Sequence, residues 1–170
     1  MALLEASRID CVVDVRRLPG SRKYPQYDAD ALAASLAAAG RGYVHVPALG
    51  GRRGRTLPAD DRRNAMWRNA SFRRYADYAL GEDFAVALDA LEARARTRRC
   101  ALMCAEAVWW RCHRRIITDH LLARGHTVCH ILGPNRVDAA RMTPGAHVED
   151  GVVVYPPPSD PAPREGAVTR

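Results

Sequence analysis

The sequence predicts an α/β fold: a single domain with a largely parallel open sheet, helices on both faces, and a short C-terminal β-hairpin. Three observations carry that expectation. Short β-branched runs alternate with segments of helical period. Each run leads into a cluster of glycine, proline or polar residues. Near the end, Asp150-Gly151 separates two apolar runs in the manner of a tight hairpin turn.

Residues 11–15 (CVVDV) read as a buried strand ending near Asp14. Residues 17–27 contain Pro19, Gly20, Ser21 and Pro25 and read as a loop. Asp28 is placed to cap a helix through residue 39, with Leu32 and Leu36 one turn apart and Gly40 as its stop. A second strand covers 43–46 and leads into the glycine- and arginine-rich stretch 50–55. A helical region is expected over 60–80, and Phe84, Leu88 and Leu91 give 82–98 a helical period. Residues 100–104 (CALMC) form the third expected strand, 112–124 a helix stopped by Gly125, and 127–132 a fourth strand. The hairpin pairs 146–149 with 152–155, which closes a domain over residues 1–155. Residues 156–170 carry five prolines and little apolar content, so this tail is expected to be disordered. There is no internal repeat.

The chain has 170 residues, 48% of them apolar and 26% charged, a composition that supports a core and excludes a disordered chain. No stretch is apolar for the roughly 18 residues that a membrane span needs, and residues 1–10 lack the layout of a signal peptide. Five cysteines, an odd number, do not suggest a disulfide framework, and the expected location is cytoplasmic. The formal charge is +7, and Lys23 is the only lysine among 26 cations. GC-rich coding alone produces such an arginine excess, yet arginine also binds phosphate bidentately and stacks on bases. Eight arginines between 52 and 74 are interleaved with Trp67, Phe72 and Tyr75, a mixture suited to a phosphate backbone and unstacked bases. A solvated helical face is the competing reading, with Trp67 and Phe72 in the core.

Ligands in open α/β sheets bind at the carboxyl ends of the strands. Four stretches are expected to converge there: Asp14, Arg16, Ser21 and Arg22; Gly50, Gly51 and Arg52; Cys104 and Glu106 with Trp109 to Arg114; and Gly133 to Arg136. Glu106, just beyond a strand expected to be buried on both faces and beside two tryptophans, is a candidate for a desolvated general acid or base. It is equally suited to an ion pair with Arg111 or Arg114. Asp14 either activates water, holds Arg16 or caps the next element. Facing carboxylates suit hydrolysis of a glycosidic bond, whose oxocarbenium-like centre needs a nearby negative charge.

Cys104 admits a nucleophile's role at a strand-to-helix loop. The spacing to Arg111 is one residue longer than the C-x₅-R loop of thiol phosphatases, and Glu106 would repel a phosphate. Cys104, Cys112 and His113 are also candidate metal ligands, with Cys129 or His130. No C-x₂-C pair exists, however, and C-x₇-C-H is not a standard zinc spacing, so no metal and no cofactor is expected. Buried free thiols are the commonest state of cysteine, and Cys11, Cys100 and Cys129 fit it. His113 and Arg114, at the start of a helix, are placed to contact phosphate or simply to stabilise the fold.

The chain resembles the DUF488 family of small uncharacterised bacterial and archaeal proteins. The resemblance rests on Asp14-Val15-Arg16 with Pro19, Ser21-Arg22 and Pro25-Gln26; on Tyr43-Val44-His45 with Leu49 to Arg52; on Phe72 and Tyr75 to Tyr78; and above all on Leu102 to Glu106 with Cys112-His113-Arg114. It covers roughly residues 8–155, and the CAE…CHR pair is its most specific part. Family members usually open on a strand reading roughly T-I-G-H-S. This sequence begins at Met1 inside the helix that follows, so that strand with its His and Ser is expected to be missing. The resemblance implies an association with excision of modified bases from DNA. The expected function is therefore a DNA N-glycosylase acting in DNA repair on a modified or damaged pyrimidine. Asp14 or Glu106 would activate water, Arg16, Arg22 and Arg52 would hold phosphate, and Trp109, Trp110 or Tyr75 would stack on the flipped base. The alternatives are a rhodanese- or phosphatase-like enzyme using Cys104, and a non-enzymatic nucleic-acid- or metal-binding module.

Overall fold

The computed structural model of the chain describes residues 1–158. After a short helix α1 (Ala2–Ala6), the strand β1 (Cys11–Asp14) is buried along its whole length. It runs between β2 (Gly42–His45) and β3 (Cys100–Met103), parallel to both, in the order β2-β1-β3. Val13 stands opposite Val44 on one side and Leu102 on the other, so branched aliphatic side chains fill the middle of the sheet. The helix α2 (Ala29–Ala38) links β1 to β2 and buries Leu36. The helices α3 (Ala70–Tyr78) and α4 (Glu82–Ala95) link β2 to β3, and α5 (Arg114–Ala123) follows β3.

One hydrophobic cluster joins these elements. Cys11, Val13 and Val15, alternate positions on one face of β1, meet Tyr75 from α3, Phe84 and Leu88 from α4, and Ile116 and Ile117 from α5. The expected C-terminal hairpin is present as β6 (His147–Glu149) and β7 (Val152–Val154), paired antiparallel. Its turn residues Asp150 and Gly151 both have positive φ, 48° and 80°, as a two-residue hairpin turn of the primed type requires. Val153 and Tyr155 carry the end of β7 into the core cluster.

Three expectations need correction. Residues 127–132 do not add a fourth parallel strand. The strand β4 (Cys129–Gly133) pairs antiparallel with β5 (Arg136–Ala139), a strand not foreseen, in a separate two-stranded ribbon. Pro134-Asn135 supplies its turn, and the exposure of every β5 residue suits a ribbon, not a strand covered on two faces. Among the described residues, seven strands therefore comprise one parallel trio and two antiparallel pairs. Second, the helix expected over 60–80 starts only at Ala70, because Asn69 caps it by accepting from the Ser71 and Phe72 N–H groups. The preceding segment is irregular: Asp61 binds Arg63, and Tyr155 donates its N–H to the Arg63 carbonyl and the Asn64 side chain. Third, β3 is an edge strand and half-buried throughout, not covered on both faces.

The expected disordered tail lies mostly outside the described residues, which end at 158. Among the described residues no helix is long and apolar enough to cross a membrane.

Candidate functional site

The carboxyl ends of the three parallel strands open onto a cleft of about 730 Å³. From the segment after β1 it receives Arg16, Arg17, Leu18 and Gly20; from the segment after β2, Gly51 and Arg52. The first turn of α3 adds Ser71 and Phe72, and the loop between β3 and α5 adds Cys104, Ala105, Glu106, Arg111, Cys112 and His113. Parallel register places these ends side by side: Asp14 pairs with His45 and with Met103, and the chain leaves all three strands at one level. The fourth predicted stretch, around Gly133 and Arg136, turns the β4–β5 ribbon instead and does not reach the cleft.

Asp14 lies behind the cleft, fully buried. Its carboxylate accepts from the Arg16 backbone N–H at 3.0 Å, from Arg16 Nε at 2.9 Å and Nη2 at 2.6 Å, and from the Tyr43 hydroxyl at 2.8 Å. Burial alone would raise its pKa, but these donors outweigh burial and hold the carboxyl below its ordinary value. Burial and the same carboxylate push Tyr43 up to about 12. With its oxygens committed to four donors, Asp14 has no free lone pair with which to activate water; it orients Arg16. His45 Nε2 lies 2.7 Å from the Arg16 carbonyl and holds the backbone at the same point.

Glu106 is exposed, so the expected desolvation is absent. Among the described residues its carboxylate forms no salt bridge, and Arg114 reaches its backbone carbonyl. Arg114 also donates from Nε to Cys112 Sγ at 3.3 Å, so that it clamps the 104–112 loop and does not face the ligand space. Cys112 is buried and Cys104 half-buried. The neighbouring Cys104 thiol draws the Cys112 pKa down, burial opposing this and His113 adding to it, while the same contact and burial push Cys104 up. Of the two sulfurs it is that of Cys112, not that of the expected nucleophile Cys104, that receives a guanidinium N–H, from Arg114.

Several expected ligand residues serve the scaffold. Tyr75 is buried, donates to the Leu49 carbonyl at 2.6 Å, and backs the His113 ring with 4.8 Å between centroids, so it is not free to stack on a base. Gly50 is buried where a Cβ would stand 2.9 Å from the Pro47 carbonyl and 3.0 Å from the Arg17 backbone. Trp67 stacks on Phe72 and meets Tyr155 edge-on, within the core. Trp109 lies flat on His130, 3.9 Å between centroids, and faces a separate cavity of about 340 Å³. Trp110, 49% exposed, stands outside the cleft. Ser21 and Arg22 do not line it; the Ser21 N–H donates to Asp28.

The cleft thus unites Arg16, Gly51, Arg52, Phe72, Cys104, Glu106, Arg111, Cys112 and His113 from the sequence expectation, with the buried Tyr75 at its wall. Arg17 and Ser71 join them. Arg17 had a signal, as the second of two arginines leaving a buried strand. Ser71 had none, since its place depends on where α3 begins.

The family described as "Domain of unknown function DUF488" matches residues 1–121, and the chain belongs to that family. No curated protein and no solved structure matches the chain.

Proposed function

We propose that this DUF488 chain is a hydrolase of the base-excision type, a DNA N-glycosylase that removes a modified or damaged pyrimidine. The observation that carries the reading is that Glu106 is the sole carboxylate among the residues lining the cleft, and it shares that lining with Arg16, Arg17, Arg52 and Arg111. Four guanidinium groups suit the phosphates flanking an extruded nucleotide, and a cleft of about 730 Å³ suits a nucleoside-sized ligand.

In this reading Glu106 takes a proton from water as the oxygen attacks C1′. The C1′–N bond breaks, its electron pair leaves with the base, and the base is reprotonated from solvent. The negative carboxylate also stabilises the oxocarbenium-like centre. Asp14 acts at one remove, by fixing Arg16. Phe72 is the cleft aromatic available to the base, in place of the tryptophans expected from the sequence.

The test is a panel of duplex oligonucleotides, each bearing one modified pyrimidine, scored for strand scission after alkali. Release of one base by the wild type, lost in Glu106→Gln while oligonucleotide binding persists, supports the reading. Abasic sites from no member of a broad panel, or full activity in Glu106→Gln, would overturn it.

A second reading, thiol chemistry in the same cleft, is favoured by the surroundings of Cys112 Sγ, which accepts from Arg114 Nε at 3.3 Å and lies 3.6 Å from His113 Nδ1. It moves the nucleophile from Cys104 to Cys112 and predicts alkylation of Cys112 in preference to the other four cysteines.

A further inference from the structure

We propose that Cys104, Cys112 and His113 form a three-ligand site for a divalent, thiophilic metal ion, zinc above all, with its remaining coordination position open to the cleft. The inference goes beyond the base-excision reading and does not depend on it.

The linear spacing gives no hint of a site, because C-x₇-C-H matches no standard zinc pattern. The fold supplies what the spacing lacks. Cys104 follows the last residue of β3, and Cys112 and His113 lie immediately before α5. Between them the loop doubles back through a 3₁₀ turn over Trp109–Arg111. Arg114 fastens it at both ends, through the Glu106 carbonyl and the Cys112 sulfur. As a result one ligand atom from each of the three residues lies within 4.8 Å of the others. Donors around a tetrahedral zinc stand about 3.5 to 3.8 Å apart, given metal–sulfur bonds of about 2.3 Å and metal–nitrogen bonds of about 2.0 Å. Contraction by about 1 Å closes the trio on an ion, a distance within reach of side-chain torsions.

The imidazole is already turned to the sulfurs. His113 Nδ1 lies 3.6 Å from Cys112 Sγ, so this nitrogen is the ligand atom the ring presents to the cluster. The other ring nitrogen, Nε2, is buried without a hydrogen-bond partner. The ring is held by Tyr75 on one side and by the backbone of Gly51 on another, where a Cβ would stand 2.8 Å from Nδ1. Glycine at 51 thus makes room for the imidazole at the cluster.

The donor set selects the ion. Two sulfurs and one imidazole are soft to borderline, which favours zinc or another late divalent metal over magnesium or calcium. Binding replaces the two thiol protons, and the two thiolates then balance the charge of the ion despite the arginines nearby. Arg114 Nε, donating to Cys112 Sγ, is the kind of outer hydrogen bond that fixes a thiolate ligand. All three residues line the cleft, so the open position of a bound ion would face the space that Glu106 also lines. Three protein ligands and one open position are the arrangement of catalytic, not structural, zinc.

The full chain, without an affinity tag of histidines, is stripped with chelator under reductant and reloaded anaerobically with Zn²⁺ or Co²⁺. The expected result is about one ion per chain, with thiolate-to-cobalt charge-transfer absorption in the cobalt form. Cys104→Ser, Cys112→Ser and His113→Ala should each weaken binding by at least about tenfold. Cys129→Ser, on the outer ribbon, should leave it unchanged. Less than about a tenth of an equivalent bound by the wild type would overturn the proposal, as would a cobalt form without thiolate absorption or an equal loss in Cys129→Ser. The wild-type measurements need no variant to fold. No nucleic acid enters the experiment, so its failure is distinct from failure of the glycosylase reading.

Discussion

Arg16 Nη2 stands 2.6 Å from Asp14 Oδ2, and the Asp14 carboxylate is wholly buried beneath the arginine it holds. The pair turns two residues at the end of β1 into one device: a buried anion that aims a cation at the cleft. Asp14→Asn removes the charge and leaves Arg16 uncompensated, which costs about 3–5 kcal/mol for a buried pair broken on one side. Urea denaturation of the variant should show an unfolding free energy lower by that amount and a correspondingly lower midpoint, with any loss of activity tracking the unfolded fraction or the misplacement of Arg16. A variant as stable as the wild type would contradict the role assigned here.

Gly50 tests the close approach of two strand ends. Its missing Cβ would collide with the Pro47 carbonyl and the Arg17 backbone, both main-chain groups that cannot swing aside. Gly50→Ala should therefore lose about 1–3 kcal/mol of stability. The readout is thermal or urea unfolding, and an unchanged midpoint would mean that the β2 and β1 termini are further apart than described.

Tyr155 ties the C-terminal hairpin to α5. Its hydroxyl donates to Asp119 Oδ2 at 2.7 Å, and Asp119 is itself buried. Tyr155→Phe leaves a buried carboxyl oxygen short of a donor, so a loss of about 1–3 kcal/mol is expected. Hydrogen exchange should show earlier opening at β7 and at the Arg63–Asn64 segment that Tyr155 also anchors.

The contrast between β1 and β4 shows which parts of this architecture are legible in one dimension. The run 11–15 reads as a buried strand because its burial is continuous, and the Asp150-Gly151 hairpin reads correctly because its turn demands positive φ from adjacent residues. Residues 127–132 also read as a strand, but only pairing decides which sheet they join, and their partner is a polar segment with little strand signal of its own. The irregular stretch before α3 was illegible for a similar reason: it is pinned by Tyr155, some ninety residues away. At the site, the strand ends located Arg16, Arg52, Glu106 and His113. Whether Asp14 was free or spent depended on a tyrosine 29 residues distant, and the proximity of Cys104 to Cys112 depended on the fold of a loop.

The cleft arginines predict a measurable salt dependence. Each phosphate contact should contribute a slope of about −0.9 in log K against log salt for duplex DNA. Replacing Arg17, Arg52 or Arg111 by Ala should lower the magnitude of that slope by about one contact, whereas Arg22→Ala, outside the cleft lining, should leave it unchanged. Equal effects from Arg22 and the cleft arginines would point to general surface charge, not to binding in the cleft.

His120 predicts how the fold responds to acid. Burial on α5 pushes its pKa from 6.5 down to about 4, with Arg124 adding to the effect, and its ring packs edge-on against Phe84. The unfolded chain therefore binds a proton at a pH where the folded chain does not. The stabilisation from neutral His120 is complete above about pH 6.5, falls as the pH drops towards 4, and is lost below that. A shift of this size corresponds to about 3 kcal/mol once fully expressed, and to about 2 kcal/mol between pH 7.5 and pH 5. Asp119 works in the opposite sense, since burial raises its pKa and protonation favours the folded state. The comparison that isolates His120 is the difference between wild type and His120→Leu, in which the Asp119 contribution largely cancels. Urea unfolding from pH 7.5 to 4 should show the variant losing less stability than the wild type, most of the divergence falling below pH 6.5. Parallel curves for the two proteins would mean that His120 is protonated within the fold.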